Sequence, residues 1–94
     1  MQVSWLRTAL ANLDSEAAYL ARDSPAAAAR VVAAIQHAVG ELANYPAIGR
    51  PGRVPGTREL VVAHTSYVIP YRVRRDRVEI LRVFHAARKW PRSF

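Results

Sequence analysis

Histidine and arginine are the residues of this chain whose types and spacing could perform chemistry. His85 lies in the segment Phe84-His85-Ala86-Ala87-Arg88-Lys89-Trp90-Pro91, close to two cations. An imidazole there could act as a general acid or base while the cations neutralise a phosphate. The alternative is a strand-end imidazole that hydrogen-bonds a nearby backbone carbonyl. Residue type and spacing alone favour this structural interpretation.

Arginines recur along the second half of the chain, at Arg58, Arg72, Arg82 and Arg88. A row of them on one face of a sheet would follow a phosphate backbone, and Tyr67, Tyr71 and Trp90 would stack on bases. The alternative is a solvated outer face on which the arginine stems cover apolar surface. For the two tyrosines we expect burial in or beside the core.

The common signatures of metal, cofactor and nucleophile sites are absent from the sequence. The chain has no cysteine, and its three histidines, His37, His64 and His85, match no metal-ligand spacing. Its glycines form neither a GxGxxG pattern nor a phosphate loop with Lys-Ser/Thr. No Ser-His-Asp or Cys-His arrangement can be argued from the order of residues. We therefore expect no metal and no cofactor.

Length and composition limit the architecture. The 94 residues predict a single domain, residues 1–94, with one modest core held by packing alone. The hydrophobic content of 51% excludes intrinsic disorder. No apolar run reaches the ~18–20 residues that span a bilayer, and the N-terminus lacks the pattern of a signal peptide. We expect a cytoplasmic protein with no membrane partner.

Positive charge is concentrated in the second half of the chain. Residues 1–46 carry three basic and four acidic side chains, whereas residues 47–94 carry eleven basic and three acidic ones. The positive electrostatic field of this second half favours a polyanion or an acidic protein as the partner. Thirteen of the fourteen basic residues are arginine. This preference fits a GC-rich genome, and it also fits the bidentate recognition of phosphate and carboxylate by guanidinium.

A short edge strand and two helices are predicted in the first half. Gln2–Leu6 alternates like a strand, and residues 7–22 follow with apolar positions every three or four residues, namely Leu10, Leu13, Ala17 and Leu20. Ser24 and Pro25 fit the N-cap and first position of a second helix. That helix ends before Asn44-Tyr45-Pro46, because a proline disfavours helical geometry in the residue before it. The short connection predicts a helical hairpin.

The second half predicts a loop over residues 46–56 and three strands joined by short turns. The strands are Arg58–His64, Tyr67–Val73 and Val78–Phe84. Pro70 cannot donate to a ladder, so we expect a bulge or an unpaired side there. The order β-α-α-β-β-β predicts an α+β fold with the helical hairpin on a mainly antiparallel sheet. Its buried side chains should include Leu13, Leu20, Val32, Ile35, Leu42, Leu60, Ile69, Leu81 and Val83.

Six fragments in order carry a resemblance to a known family over essentially the whole chain. They are Trp5 before a helix, Leu42-x-x-Tyr45-Pro46, Ile48-Gly49-Arg50-Pro51-Gly52, Gly56-Thr57-Arg58-Glu59-Leu60, Tyr67-Val68-Ile69-Pro70-Tyr71-Arg72-Val73 and Ile80-Leu81-x-Val83-x-His85-x-x-Arg88-x-Trp90-Pro91. The chain resembles a toxin of the RelE/ParE superfamily, which belongs to type II toxin–antitoxin modules. The resemblance implies a cognate antitoxin, acidic or amphipathic, in a toxin–antitoxin hetero-oligomer.

The resemblance implies one of two targets. RelE-like members are metal-independent ribonucleases that cut mRNA on the ribosome, whereas ParE-like members share the fold and poison DNA gyrase. In the nuclease branch an arginine commonly opens the third strand, and Val68 stands at that position here. This departure favours the ParE-like branch, and a degenerate, nontoxic member that only binds its antitoxin is a third possibility.

The two targets imply different site residues. For a gyrase poison, we expect the target-binding surface to consist of Arg82, His85, Arg88, Lys89, Trp90 and Arg92. For a ribonuclease, the resemblance implies that His85 lies near the sequence position at which some nucleases of the superfamily have a terminal catalytic histidine. Its partners in catalysis would then be Arg58, Arg72 and Arg82.

Overall fold

Two helices and six short strands make up the computed structural model, which describes residues 1–94. The elements are β1 (Gln2–Trp5), α1 (Arg7–Ala21), α2 (Pro25–Glu41), β2 (Arg50–Pro51), β3 (Arg58–Val61), β4 (Tyr67–Arg74), β5 (Arg77–Ile80) and β6 (Phe84–His85). The predicted order β-α-α-β-β-β is confirmed, with two refinements. A two-residue strand, β2, forms inside the predicted loop, and the last predicted strand is divided into β5 and β6.

The predicted helical hairpin is confirmed, and α2 begins at the residue that the local signals predict, although α1 and α2 end one or two residues earlier than expected. The Ser24 hydroxyl accepts a hydrogen bond from the Ala27 backbone N–H at 3.1 Å, and Pro25 occupies the start of α2. Proline fits there because the first N–H groups of a helix have no intrahelical partner. The start of α1, at Leu6, has no side-chain cap. Neither helix is long and apolar enough to cross a membrane.

The sheet is mixed, with strand order β1-β5-β4-β3-β2 and with β6 beside β4. The pair β1 and β5 is parallel, and every other pair is antiparallel. The prediction of an edge strand at Gln2–Leu6 is confirmed, since β1 lies at one border of the sheet. The predicted strand Arg58–His64 ends earlier, at Val61, because His64 takes a left-handed backbone conformation with φ of 63°.

A bulge opposite Pro70 separates β5 from β6. Tyr71 pairs with Ile80 and Val68 pairs with Phe84, so the two intervening residues of β4 face three residues of the last strand. The Pro70 carbonyl accepts a hydrogen bond from the Leu81 N–H at 3.0 Å. In an antiparallel strand, the nitrogen of the same residue faces the same neighbour, and proline has no hydrogen to donate there. The predicted irregularity at Pro70 is thus confirmed, and it takes the form of an extra residue in the partner strand.

The helices cover one face of the sheet and form the main core with it. Seven of the nine expected residues are buried, namely Leu13, Ile35, Leu42, Leu60, Ile69, Leu81 and Val83. Leu20 and Val32 are only half-buried and pack against the edge of the core cluster. Leu10, expected on the apolar face of α1, is 46% exposed, and the neighbouring Ala9 is buried instead. The contact stripe of α1 therefore runs through Ala9 and Leu13, where the small alanine permits close packing.

The opposite face of the sheet carries a second, smaller apolar layer. Side chains alternate along β4, so Tyr67, Ile69 and Tyr71 join the helix-side core, whereas Val68 and Pro70 point to the other face. Val68 lies opposite Phe84 of β6, and both are buried. The residues after β6, 86–94, cover this region, and we refer to them below as the C-terminal segment.

Candidate functional site

The C-terminal segment is held on the sheet by alternating aromatic and cationic side chains. The Trp90 ring meets the Phe84 ring edge-to-face, with centroids 5.0 Å apart. The Arg53 guanidinium carbon lies 4.1 Å from the centroid of Trp90, and that of Arg88 lies 4.6 Å from the centroid of Phe84. The Arg82 guanidinium is 5.3 Å from the Phe94 ring. Each cation is attracted to the negative face of its ring, so this surface presents aromatic anchors and positive charge together.

A depression of about 410 Å³ opens beside these rings, between the C-terminal segment and α1. Four of the six residues predicted to bind a target line it, namely Arg82, Arg88, Lys89 and Trp90. Thr8 and Asn12 of α1 form the other wall. The Asn12 side-chain oxygen accepts a hydrogen bond from the Val83 N–H at 3.1 Å, which ties α1 to the strand end. The depression is thus basic and partly aromatic, and α1 forms one of its walls.

His85 and Arg92 do not line this depression, although the sequence places them next to its residues. The His85 ring meets Tyr67 edge-to-face with centroids 5.7 Å apart, on the helix side of the sheet. Its Nδ1 accepts a hydrogen bond from the Ala87 N–H at 3.2 Å. The imidazole is exposed, so the structural interpretation of a strand-end histidine fits, with a backbone amide as the partner rather than the expected carbonyl.

The arginines considered for phosphate chemistry do not form one row. Arg58 pairs with Tyr71 across the sheet, so it lies on the face of Tyr71, whereas Arg72 points to the opposite face. Arg58 donates to the Gly49 carbonyl at 2.8 Å and to the Ala47 carbonyl at 3.3 Å. These bonds fasten the loop that follows α2. Strand register therefore separates two side chains that the sequence alone could place together.

The other two arginines are also engaged within the chain. Arg72 donates from Nε to the Glu79 carboxylate at 2.7 Å, and this bond holds the pKa of Glu79 below its usual value. Arg82 donates to the neighbouring Leu81 carbonyl at 2.6 Å. Val68, at the position of the nuclease arginine, is buried under Phe84 and the C-terminal segment. These side chains and His85 do not converge on one point.

A buried carboxylate that the sequence analysis did not single out supports the surface from below. Glu59 of β3 is 1% exposed and accepts two hydrogen bonds from the Arg50 side chain, at 3.1 and 2.9 Å. It also accepts one from the Arg53 backbone N–H at 2.7 Å. Ionised acceptors with several donors make strong bonds, so Glu59 fixes the loop that carries Arg53 under Trp90. The alternation along β3, which turns Glu59 away from Leu60, was the available signal.

Tyr71 fixes the other part of the same loop. Its hydroxyl accepts from the Gly49 N–H and donates to the Pro46 carbonyl, both at 2.8 Å. Burial raises the pKa of Tyr71 above its usual value, so the hydroxyl remains a donor to more alkaline pH than in a free tyrosine. The expected core positions of Tyr67 and Tyr71 are confirmed, since both are buried. Neither tyrosine is available to stack on a base.

The fold is that of a toxin from a type II toxin–antitoxin system. The sequence model of the family described as ParE toxin of type II toxin–antitoxin system, parDE, matches residues 3–90. The chain belongs to this ParE toxin family. The resemblance to the RelE/ParE superfamily is thereby confirmed.

Individual relatives agree with the family. Y4kP of Sinorhizobium fredii, a candidate toxin by its name, is 57% identical over 90 residues, covering 96% of this chain and 93% of its own. Toxin RelE2 of Caulobacter vibrioides is 42% identical over 87 residues, covering 93% and 97%. A solved chain of the chromosomal ParDE toxin–antitoxin system from P. aeruginosa superposes with a TM-score of 0.80 at 32% identity, covering 90% of this chain and 95% of that one.

Proposed function

We propose that this toxin arrests growth by poisoning DNA gyrase and that a cognate antitoxin neutralises it in a cytoplasmic hetero-oligomer. The observation that carries the choice of target is the dispersal of the groups a nuclease would need. Attack by a 2′-hydroxyl requires a base, an acid and cations around one phosphate. Arg58 and Arg72 instead lie on opposite faces of the sheet and bond to the chain itself.

A binding role for the C-terminal surface supports the same choice. Arg82, Arg88, Lys89 and Trp90 surround one depression, and His85 and Arg92 extend the proposed target-binding surface beyond it. Arginine and tryptophan are enriched among the residues that dominate binding energy at interfaces. Two features support the surface, the hydrogen bonds of Glu59 and the bond from Asn12. Little conformational entropy would therefore be lost when it binds a large partner.

The antitoxin is proposed to dock elsewhere, on an apolar groove between β1 and the helices. Val3, Trp5, Leu10, Leu13 and Val39 line this groove, and the exposure of Leu10 leaves an apolar anchor point for an amphipathic helix. Acidic residues of the same partner would meet the basic second half of the chain. The variant Leu10→Glu should weaken binding of the small protein encoded by the adjacent reading frame, whereas Tyr19→Glu, exposed on the same helix, should not. Equal binding by both variants would contradict this docking site.

Induction of the toxin without its antitoxin tests the proposed target in cells. We expect growth arrest with DNA-damage signalling and intact mRNA. The double variant Arg88→Ala/Trp90→Ala should relieve the arrest, whereas the matched exposed pair Arg22→Ala/Tyr45→Ala should not. Harmless expression of the folded wild-type chain would leave only the nontoxic, antitoxin-binding role. Arrest with mRNA cleavage that depends on His85 would establish the ribonuclease instead.

A further inference from the structure

The turn between β4 and β5 has an arginine where a hairpin favours other residues. Arg74 pairs with Arg77, and the two residues between them, Arg75 and Asp76, have φ values of 52° and 60°. A two-residue turn with both central φ angles positive favours Asn-Gly or Asp-Gly. The left-handed conformation costs roughly 1–2 kcal/mol for an ordinary L-residue. Arg75 therefore occupies its position against the local backbone preference.

The pairing of Arg74 with Arg77 is a second unfavourable feature of the same turn. The two residues are directly opposite each other across the ladder, on the face away from the helices. Like charges directly opposite on one face of a sheet destabilise it. None of Arg74, Arg75 and Arg77 forms a direct ion pair. The single carboxylate nearby, that of Glu79, is hydrogen-bonded to Arg72, and its charge is shared among Arg72, Arg74 and Arg77. Two independent local costs on one turn point to a role outside folding.

These side chains surround an open cavity of about 420 Å³ lined by Arg74, Arg75, Arg77 and Glu79, with no apolar residue. Three arginines thus line one space with a single carboxylate among them, and none of the three side chains makes a hydrogen bond or a salt bridge within the chain. A guanidinium presents paired donors that fit two oxygens of a phosphate or a carboxylate. The cavity is therefore suited to an anion that carries several oxygen acceptors.

We infer that the Arg74–Arg77 turn binds the phosphate backbone of duplex DNA. The lack of apolar lining distinguishes this partner from an acidic protein, because protein–protein interfaces have an apolar centre, whereas interfaces with DNA are polar and strongly positive. The turn lies at the far end of the last strand from the C-terminal segment, roughly 20 Å along the sheet. The two surfaces are thus separate, and this inference does not rest on gyrase being the target.

Fluorescence anisotropy of a short, labelled DNA duplex of mixed sequence, titrated with the purified chain, tests the inference. Each phosphate contact contributes about 0.9 to the slope of log affinity against log salt concentration. Arg74→Gln/Arg77→Gln should therefore weaken binding and reduce this slope by about two. The control Arg22→Gln/Arg30→Gln removes the same charge from the helices and should leave the slope nearly unchanged. An equal reduction in both variants would overturn the inference, since net charge alone would then explain the binding.

A single substitution separates binding from stability. Asn tolerates the left-handed conformation, so Arg75→Asn should raise the melting temperature while it weakens DNA binding several-fold. Unchanged DNA binding by a folded Arg75→Asn variant would contradict the inference. Competition decides between the two anionic partners. If polyglutamate displaced the duplex as effectively as unlabelled DNA at equal charge concentration, the site would be one for an acidic protein and the inference would be wrong.

Discussion

The guanidinium of Arg53 lies against the indole ring of Trp90, 4.1 Å from its centroid. This contact joins the loop after β2 to the C-terminal segment, two parts of the chain that are distant in sequence. Arg53 is itself fixed through its backbone N–H by the buried carboxylate of Glu59. The proposed target-binding surface therefore depends on Glu59, which is buried and is not part of that surface. Substitution of Glu59 should alter the surface.

Replacement of Glu59 by Gln should destabilise the protein and loosen the C-terminal segment. The amide keeps the shape but removes the charge that accepts hydrogen bonds from Arg50 and Arg53. We expect a loss of about 1–3 kcal/mol in the free energy of unfolding, measured by urea denaturation. Trp90 emission, read in a Trp5→Phe background, should shift to the red. The control Glu41→Gln, at an exposed position, should change stability by less than about 0.5 kcal/mol.

Ile35→Ala tests the position of the main core. Ile35 is fully buried within the cluster between α2 and the sheet, so truncation should lower the free energy of unfolding by about 2–5 kcal/mol. Val61, whose side chain is largely exposed on β3, offers a comparison, and Val61→Ala should have a much smaller effect. Similar losses in the free energy of unfolding for the two variants would contradict the described position of the core.

Two glycine-to-alanine substitutions should change stability in opposite directions. A Cβ atom at Gly49 would lie 2.6 Å from the Tyr71 ring and hydroxyl, so Gly49→Ala should cost about 1–3 kcal/mol through overpacking. At Gly40, within α2, a Cβ would meet nothing within 4 Å. Gly40→Ala should therefore add about 1 kcal/mol through helix propensity. Thermal unfolding of the two variants gives the comparison, and a stable Gly49→Ala protein would contradict the described loop.

Alkaline pH should lower the free energy of unfolding through the ionisation of Tyr67. Burial, together with the hydrogen bond that its hydroxyl donates to Glu16, raises the pKa of Tyr67 to about 12. An unfolded tyrosine titrates near ~10, so between these values the folded state holds a proton that the unfolded state has released. The free energy of unfolding must then fall as pH rises through this window. The stability difference between wild type and Tyr67→Phe should shrink from pH ~10 to ~12, and a constant difference would refute the assignment.

The helices were predictable because their signals are local. Ser24 and Pro25 specify the start of α2 through one hydrogen bond and one fixed backbone angle, and the structure has both. Strand ends depend instead on partners. The division of the last strand follows from Pro70 in its neighbour, and β3 stops short because His64 turns left-handed. The sequence could indicate an irregularity at Pro70 but not which strand would carry the extra residue.

The candidate site shows the same distinction. Arg88, Lys89 and Trp90 are close in sequence, and the structure places them around one depression. The separation of Arg58 from Arg72 depends on strand register, which spacing along the chain does not determine. The support that Glu59 gives to Arg53 depends on the path of an irregular loop. The alternation along β3 turns Glu59 away from Leu60, but it does not indicate that Arg50 and the Arg53 backbone would bury and bind this carboxylate.

Cleavage of supercoiled DNA by purified gyrase in the presence of the purified toxin tests the central claim most directly. We predict that linear DNA accumulates when the reaction is stopped with detergent and protease. Arg88→Ala/Trp90→Ala should require at least about tenfold more toxin, as expected for residues that dominate an interface. His85→Gln should have a much smaller effect, because His85 lies outside the depression and the amide keeps a polar side chain at that position. Absence of linear DNA at every toxin concentration, together with cleavage of mRNA on programmed ribosomes that His85→Gln abolishes, would contradict the account.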